Sequence, residues 1–161
     1  MIIRLIGAVD EDMYKRVSKK LEYAEDVQQA IAITIELFST GGDAHSALAI
    51  AARIRKSPLE VRITALGQVA SAAVLILASG KVRRMTKEAW VMVHEDAGNH
   101  KGDIVALERE ARQSRRMEDQ WAALLEELTG TPAAKWTELH KVTTYLSAEE
   151  CLALGLVDKI I

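Results

Sequence analysis

Ser71 lies in the run GQVASAAV (residues 67–74), where its neighbours are too small to shield its hydroxyl. The alternation of branched residues predicts a strand over 61–67, and the apolar run predicts a short helix over 70–79. Ser71 would then lie at a strand-to-helix turn, where unpaired N–H groups and the helix dipole favour negative charge. A serine there can attack a carbonyl while the N–H of Ala72 binds the oxyanion. A helix-capping serine suits the same position, so this run alone leaves both interpretations open.

Two other segments carry residues suited to the same chemistry. Gly41 and Gly42 follow a predicted strand at 30–38, and without a Cβ their backbone can approach a bound carbonyl closely. His94 ends a predicted strand at 89–93, and a histidine within reach of a serine can act as its general base. Taken separately, the glycine pair is an ordinary turn and His94 a histidine without a role. Together with Ser71 they predict a nucleophile, an oxyanion site and a base.

Strand and helix patterns alternate along most of the chain, which predicts an α/β fold with a parallel-rich sheet and right-handed crossovers. Asp10 is a plausible N-cap for a helix with apolar residues four apart, and a second helix is predicted over 44–54. Ser147 and Glu150 form a capping-box pattern for a last helix, followed by a final strand over 156–161. The other predicted strands are residues 2–6 and 81–85.

Residues 103–128 predict one long helix with an apolar stripe, after a polar loop at 95–102. Gly130 and Pro132 end this helix, and a short helix through Trp136 and Leu139 follows. The stripe can be buried by folding back onto the core or by projecting into another subunit. The helix pattern alone does not decide between these arrangements.

The composition bounds the class of protein. A chain of 161 residues with 49% hydrophobic and 27% charged residues suits one globular domain. A net charge of −2 argues against a general binder of nucleic acids or anionic membranes. The single cysteine, Cys151, cannot form an internal disulfide, which favours a reducing compartment.

No targeting or metal-binding pattern is evident. The N-terminal apolar stretch is too short for a signal-peptide core, and the longest apolar run, 69–79, is shorter than the roughly 20 residues of a spanning helix. His, Cys, Asp and Glu show no metal-ligand spacing. We therefore expect a cytoplasmic protein with neither metal nor cofactor.

The three segments, in this order, resemble the proteolytic subunit of the Clp protease, a serine peptidase with a crotonase-like fold. The likeness runs from residues 2–7 through the glycine pair, Ser71 and His94 to YLSAEE at 145–150 and LGLVD at 154–158. It implies one domain, 1–161, of stacked βαβ units. The long helix would be a protruding handle, in a handle region of about 95–130.

The resemblance also implies roles for single residues. Ser71 would be the nucleophile and His94 the general base, and Gly42 and Ala72 would supply the oxyanion-hole N–H groups. The family's triad aspartate lies two residues before an aromatic residue, a position that Thr143 occupies here.

Threonine accepts a hydrogen bond but carries no charge to stabilise an imidazolium, so three alternatives stay open at this position. Thr143 is a weak third catalytic residue, another carboxylate replaces the aspartate, or the chain is slow or inactive. Glu138 is a better candidate carboxylate than Glu95, whose side chain would point to the opposite face of a strand.

The resemblance implies that a substrate peptide adds as an extended strand between two segments, with low sequence selectivity. The predicted substrate-binding residues are Gly41, Asp43 and Ala44 on one side and Ala97, Gly98 and Asn99 on the other.

It further implies a homo-oligomer, in which heptameric rings stack in pairs as a tetradecamer around a chamber for peptides and unfolded proteins. In the family an AAA+ unfoldase feeds the chamber through an N-terminal loop. This sequence starts almost directly at its first predicted strand, which argues against such docking.

Two other functions compete with a serine endopeptidase. A catalytically weak or inactive ring subunit of structural or regulatory role is favoured by Thr143. A crotonase-type acyl-CoA enzyme would share the fold, but the chain is short for that class. The pairing of Ser71 with His94 would have no evident use there.

Overall fold

A computed structural model describes residues 1–95 and 103–161. The described strands form one seven-stranded mixed sheet in the order β1-β2-β3-β4-β7, with β5 between β3 and β6. Every pairing is parallel except that of β5 with β6, which confirms the predicted parallel-rich α/β fold. The strands are β1 (Ile2–Ile6), β2 (Ala32–Ser39), β3 (Glu60–Ala70), β4 (Val82–Met85), β5 (Trp90–Val93), β6 (Thr144–Leu146) and β7 (Lys159–Ile160). The helices are α1 (Glu11–Glu22, continued by a π-helical turn at Tyr23–Val27), α2 (Ala44–Lys56), α3 (Ala73–Ala78), α4 (Ile104–Thr129), α5 (Ala133–His140) and α6 (Ala148–Ala153).

One face of the sheet carries the core. Alternate residues of β1, among them Ile3 and Leu5, are buried, whereas Ile2, Arg4 and Ile6 on the other face are exposed. Helices α1, α2 and α3 cover the buried face, and every residue of α3 is buried. A fully buried α3 fixes the position of the turn that precedes it.

Strand β3 is longer than its sequence pattern predicts, because it continues past Gly67 to Ala70. Gly67 has φ +61, and the register between β2 and β3 shifts at this level. The first half of β3 pairs with β4 and the second half with β5. This irregularity lets β3 pair with both β4 and β5, and it brings the carboxyl ends of β3 and β5 side by side.

The region that follows β3 also differs from the prediction. Residues 70–72 are not helical, and α3 begins only at Ala73. The predicted last strand over 156–161 is reduced to Lys159–Ile160. The capping box at Ser147 and Glu150 is confirmed, since each side chain bonds the backbone N–H of the other residue.

The long helix α4 packs against the core over only part of its length. Its C-terminal half packs on α3 and α5 and buries Ala122 and Leu125. Its N-terminal half leaves apolar side chains in solvent, with exposed fractions of 75% for Ile104 and 54% for Val105. Within this chain the handle is therefore only half covered. Asp103 caps its start, and Gly130, at φ +78, ends it.

Two further observations concern only the described part of the chain. None of its helices combines the length and the apolar character that crossing a bilayer requires. None of its clusters of three or more His, Cys, Asp or Glu is arranged to hold a metal ion.

Candidate active site

Ser71 follows the last residue of β3 in a conformation that few side chains adopt. Its φ is +53, in the left-handed region, and its N–H donates to the carbonyl of Met92 at 2.7 Å, extending the pairing of β3 with β5. Left-handed backbone at a residue other than glycine costs free energy and is concentrated at functional sites. The N-cap of α3 is Ala72, and no side chain caps this helix, so Ser71 does not act as a helix cap.

His94 follows β5, the parallel neighbour of β3, and its ring reaches Ser71. The distance from His94 Nε2 to Ser71 Oγ is 2.9 Å, within the range that proton transfer from serine to a general base requires. Both residues come directly after the carboxyl ends of adjacent parallel strands, which is where open α/β sheets place their ligand sites. The sheet therefore brings together two groups that lie far apart in the sequence.

The other ring nitrogen of His94 bonds a backbone carbonyl. His94 Nδ1 lies 2.5 Å from the carbonyl oxygen of Glu95. Because a carbonyl oxygen only accepts, Nδ1 must carry the proton, and Nε2 is left with a lone pair facing Ser71. That tautomer is the one a general base needs. The carbonyl of Glu95 thus supplies the bond that orients the His94 ring, whereas the sequence predicts only side chains for this role.

The side chains of Thr143 and Glu138, the candidates for the third catalytic residue, form no hydrogen bond with His94 in the described part of the chain. Thr143 is exposed, and its side chain forms no hydrogen bond within the described residues. Continuing the antiparallel register of β5 and β6 by one residue would place Thr143 opposite His94. Glu138 is exposed and pairs with Lys135 at 3.2 Å. A catalytic role for Thr143 stays a prediction that no contact to His94 supports.

Gly41 is buried directly against the serine. Its φ is +93, and a Cβ built on it would lie 2.6 Å from Ser71 Cβ and 3.1 Å from the N atom of Ala72. Only glycine allows this approach of the two segments. Its own N–H is bonded to Ser39 Oγ at 3.1 Å.

The next backbone groups form a pair of donors beside Ser71. Within residues 1–95 and 103–161, the N–H groups of Gly42 and Ala72 have no hydrogen-bond acceptor. Unbonded N–H groups next to a nucleophile are what an oxyanion hole requires, since they can stabilise charge as it develops.

Asp43 is less available to a substrate than its position suggests. Its N–H donates to Val9 O at 2.8 Å, and its carbonyl accepts from Ala47 N at 3.1 Å. Its carboxylate accepts from Ser46 N at the start of α2, and hydrogen bonding to Ser46 lowers the pKa of this carboxyl. A peptide strand would therefore have to pair with Gly42 or Ala44 on this side. The candidates on the other side, Ala97, Gly98 and Asn99, lie outside the described residues.

A cavity of about 180 Å³ opens beside Ser71 and His94. Helix α4 provides much of its apolar wall, so the handle also shapes the site. The apolar lining comprises Val74, Met117, Trp121, Ala122 and Leu125. Its polar lining includes His140 from the end of α5, a residue for which the sequence predicts no role. Only the closeness of His140 to Thr143 in the sequence hinted at this position.

The family model for the Clp protease matches residues 1–161. The chain belongs to the Clp protease family. Among curated proteins it is similar to the ATP-dependent Clp protease proteolytic subunit 2 of Treponema denticola, with 29% identity over 160 residues that cover 98% of this chain and 80% of the relative.

The fold is that of a solved member of the Clp protease family. A mutant of ClpP1 from Listeria monocytogenes is similar with a TM-score of 0.89 and 26% identity, over 99% of this chain and 90% of that one. This likeness confirms the resemblance inferred from the glycine pair, Ser71 and His94. Membership of this family implies a hydrolase of the serine peptidase class. The cavity beside Ser71 and His94 is the candidate site for that chemistry.

Proposed function

We propose that this chain is the serine endopeptidase subunit of a self-compartmentalised Clp-type protease, acting on peptides and unfolded proteins. The observation that carries the proposal is the 2.9 Å contact between Ser71 Oγ and His94 Nε2, made in the tautomer that allows proton transfer. The adjacent N–H groups of Gly42 and Ala72 support it, since an alcohol, a base and two unbonded donors are the groups that acyl transfer requires.

In the proposed reaction each proton has a stated donor and acceptor. Ser71 Oγ bonds to the scissile carbonyl carbon as its proton passes to His94 Nε2, and the N–H groups of Gly42 and Ala72 bind the oxyanion. His94 then gives that proton to the leaving amine, which departs as the carbon–nitrogen bond breaks. Water then bonds to the acyl carbon as it loses a proton to Nε2. His94 returns that proton to Ser71 Oγ as the carbon–oxygen bond to the serine breaks and the carboxylic acid product leaves. The carbonyl of Glu95 keeps Nδ1 protonated throughout.

We further infer that the chain works inside a ring assembly, with stacked heptameric rings as the expected form. The exposed apolar residues at the start of α4, Ile104, Val105 and Leu107, support an interface between copies. A weakly selective peptidase with its site enclosed would reach only peptides and unfolded chains. Delivery of substrates by a partner ATPase is tested by measuring whether ATP and an unfoldase accelerate degradation of a folded substrate.

A catalytically weak ring subunit is the second candidate, because no side-chain carboxylate is bonded to His94 in the described residues. A neutral carbonyl orients the ring but stabilises the imidazolium less than a carboxylate would. In a triad protease, replacing the aspartate by an amide lowers turnover by about 10⁴, partly through the wrong tautomer.

The deciding experiment is labelling with an alkyl fluorophosphonate, followed by intact mass and peptide mapping. One phosphonyl group on Ser71, absent in Ser71→Ala, supports a peptidase, and hydrolysis of a fluorogenic peptide should be lost in the same variant. An assembled particle that is not labelled at Ser71 contradicts the peptidase and favours the structural subunit.

Thr143→Asp is expected to raise the rate of peptide hydrolysis. Position 143 falls opposite His94 by register, and directly opposed residues have Cβ atoms about 5 Å apart, so a carboxylate there can reach the ring. Because Glu95 already fixes the tautomer, only the charge is gained, and we expect about tenfold to a hundredfold rather than 10⁴. The measurement is kcat/KM on a fluorogenic peptide.

Thr143→Ala is the matched control for that variant. The threonine makes no bond to His94, so we expect kcat/KM to stay within about twofold of the wild-type value. A loss of more than tenfold in Thr143→Ala would show that the threonine itself takes part, contrary to the geometry.

A further inference from the structure

His140 holds a fixed position at the end of α5. Its Nδ1 lies 2.7 Å from the carbonyl oxygen of Trp136, one helical turn earlier, so Nδ1 carries the proton and Nε2 a lone pair. Trp136 is fully buried, and its indole N–H donates to Thr129 Oγ1 at 3.2 Å. The imidazole is thus tied to a residue anchored in the core.

This second imidazole lines the same cavity as Ser71 and His94. The charged groups that line it from each neighbouring element are Glu95 after β5, Glu118 and Asp119 on α4, and Lys141 next to His140 itself. The catalytic base and His140 are therefore enclosed by the same wall of α4, where their charges are screened less than on an open surface.

The surroundings of His140 favour its neutral form. Burial lowers the pKa of His140 from the ordinary value, and the bond to the Trp136 carbonyl offsets part of this effect. A positive charge on His94 adds a smaller lowering effect. At neutral pH the ring is uncharged, and it gains a proton only in more acidic solution. Two positive imidazoles in one cavity repel each other.

We propose that His140 is a positioning residue for the general base, such that proton transfer from Ser71 to His94 requires an uncharged His140 and is suppressed when His140 is protonated. The proposal rests on the peptidase function proposed above. When Oγ bonds to an electrophile, His94 becomes an imidazolium for the lifetime of the intermediate. A neutral neighbour permits that charge, whereas a cation in the same cavity destabilises it.

The test measures the rate of Ser71 phosphonylation by an alkyl fluorophosphonate between about pH 5 and 8. In this step Oγ bonds to phosphorus, the proton passes to His94 Nε2 and fluoride leaves. For wild type, the logarithm of the rate should fall with a slope approaching two at the acid end, because both histidines must be neutral. For His140→Gln the slope should stay near one, whatever its rate at neutral pH. Superimposable profiles overturn the proposal.

The second part of the test places a permanent positive charge at position 140. His140→Lys should be labelled about tenfold more slowly than His140→Gln at neutral pH, since its charge does not titrate there. Ala134→Lys adds the same charge at an exposed position of α5 and should match wild type. Equal rates for the Lys and Gln variants at position 140 contradict the proposal.

An NMR titration of the His94 ring separates this proposal from the peptidase function. The His94 curves of His140→Gln and of His140→Lys should each differ from the wild-type curve. If no variant is labelled at Ser71, the peptidase function fails, and the titration still decides whether position 140 controls the charge of His94. A His94 curve unchanged by both substitutions rejects the role of His140.

Discussion

His94→Ala is expected to abolish measurable peptide hydrolysis and to slow labelling of Ser71 by about 10⁴-fold or more. Its Nε2 is the one base within hydrogen-bond distance of Ser71 Oγ among the described residues. A serine hydroxyl is a weak nucleophile at neutral pH without such a base. The measurements are kcat/KM on a fluorogenic peptide and the second-order rate constant for labelling of Ser71 by the alkyl fluorophosphonate.

His45→Ala is the matched histidine control for that variant. The His45 side chain is 73% exposed, and its nearest charged group is Asp43 at 3.8 Å. We expect its kcat/KM to stay within about twofold of wild type. If both histidine variants lost activity equally, the loss would come from a general disturbance of the fold, and the assignment of the base would be wrong.

The sheet and its helices could be predicted because their apolar patterns are local. The alternation in β1 and the apolar face of α1 follow from periods of two and 3.6 residues, and both elements occur where the sequence indicates them. The course of β3 beyond Gly67 could not be predicted in this way. It depends on pairing with β5, a contact with a segment that lies more than 20 residues away in the chain.

The candidate site was predictable only as far as residue types indicate chemistry. A serine, a histidine and a glycine pair at strand ends point to acyl transfer, and the structure places them together. The bond from His94 to the Glu95 carbonyl depends on backbone angles after β5, which no residue type encodes. The position of His140 depends on how α5 packs, so its closeness to Thr143 in the sequence was not enough to place its ring in the cavity.

The Glu95 carbonyl changes what the missing aspartate means. A triad aspartate both selects the histidine tautomer and stabilises the imidazolium by its charge. In this chain a backbone acceptor performs the first task, so the absence of a carboxylate at position 143 removes the second task alone. We therefore expect only a partial loss of rate, since an intact proton-transfer geometry is compatible with a neutral third group.

Gly41→Ala is expected to reduce labelling of Ser71 by at least about a hundredfold, comparable with the removal of an oxyanion-hole donor. The new methyl carbon would lie 2.6 Å from Ser71 Cβ and 2.7 Å from Ala70 O, so the serine or the glycine segment must move. Either movement separates the nucleophile from the N–H groups of Gly42 and Ala72. The backbone at φ +93 adds strain of about 1–3 kcal/mol to the folded state.

Gly130→Ala is the control that separates the effect of backbone strain at a positive φ from the effect of a steric clash of the new methyl group. Gly130 also has a positive φ, +78, but a Cβ there meets nothing within 4 Å. Its replacement should lower the free energy of unfolding by about 1 kcal/mol and leave the labelling rate unchanged. Urea unfolding and phosphonylation rates of both variants measure the two effects. If Gly41→Ala lost no more stability than Gly130→Ala and kept its labelling rate, close contact between the glycine segment and Ser71 would not be needed, and the oxyanion site would have to lie elsewhere.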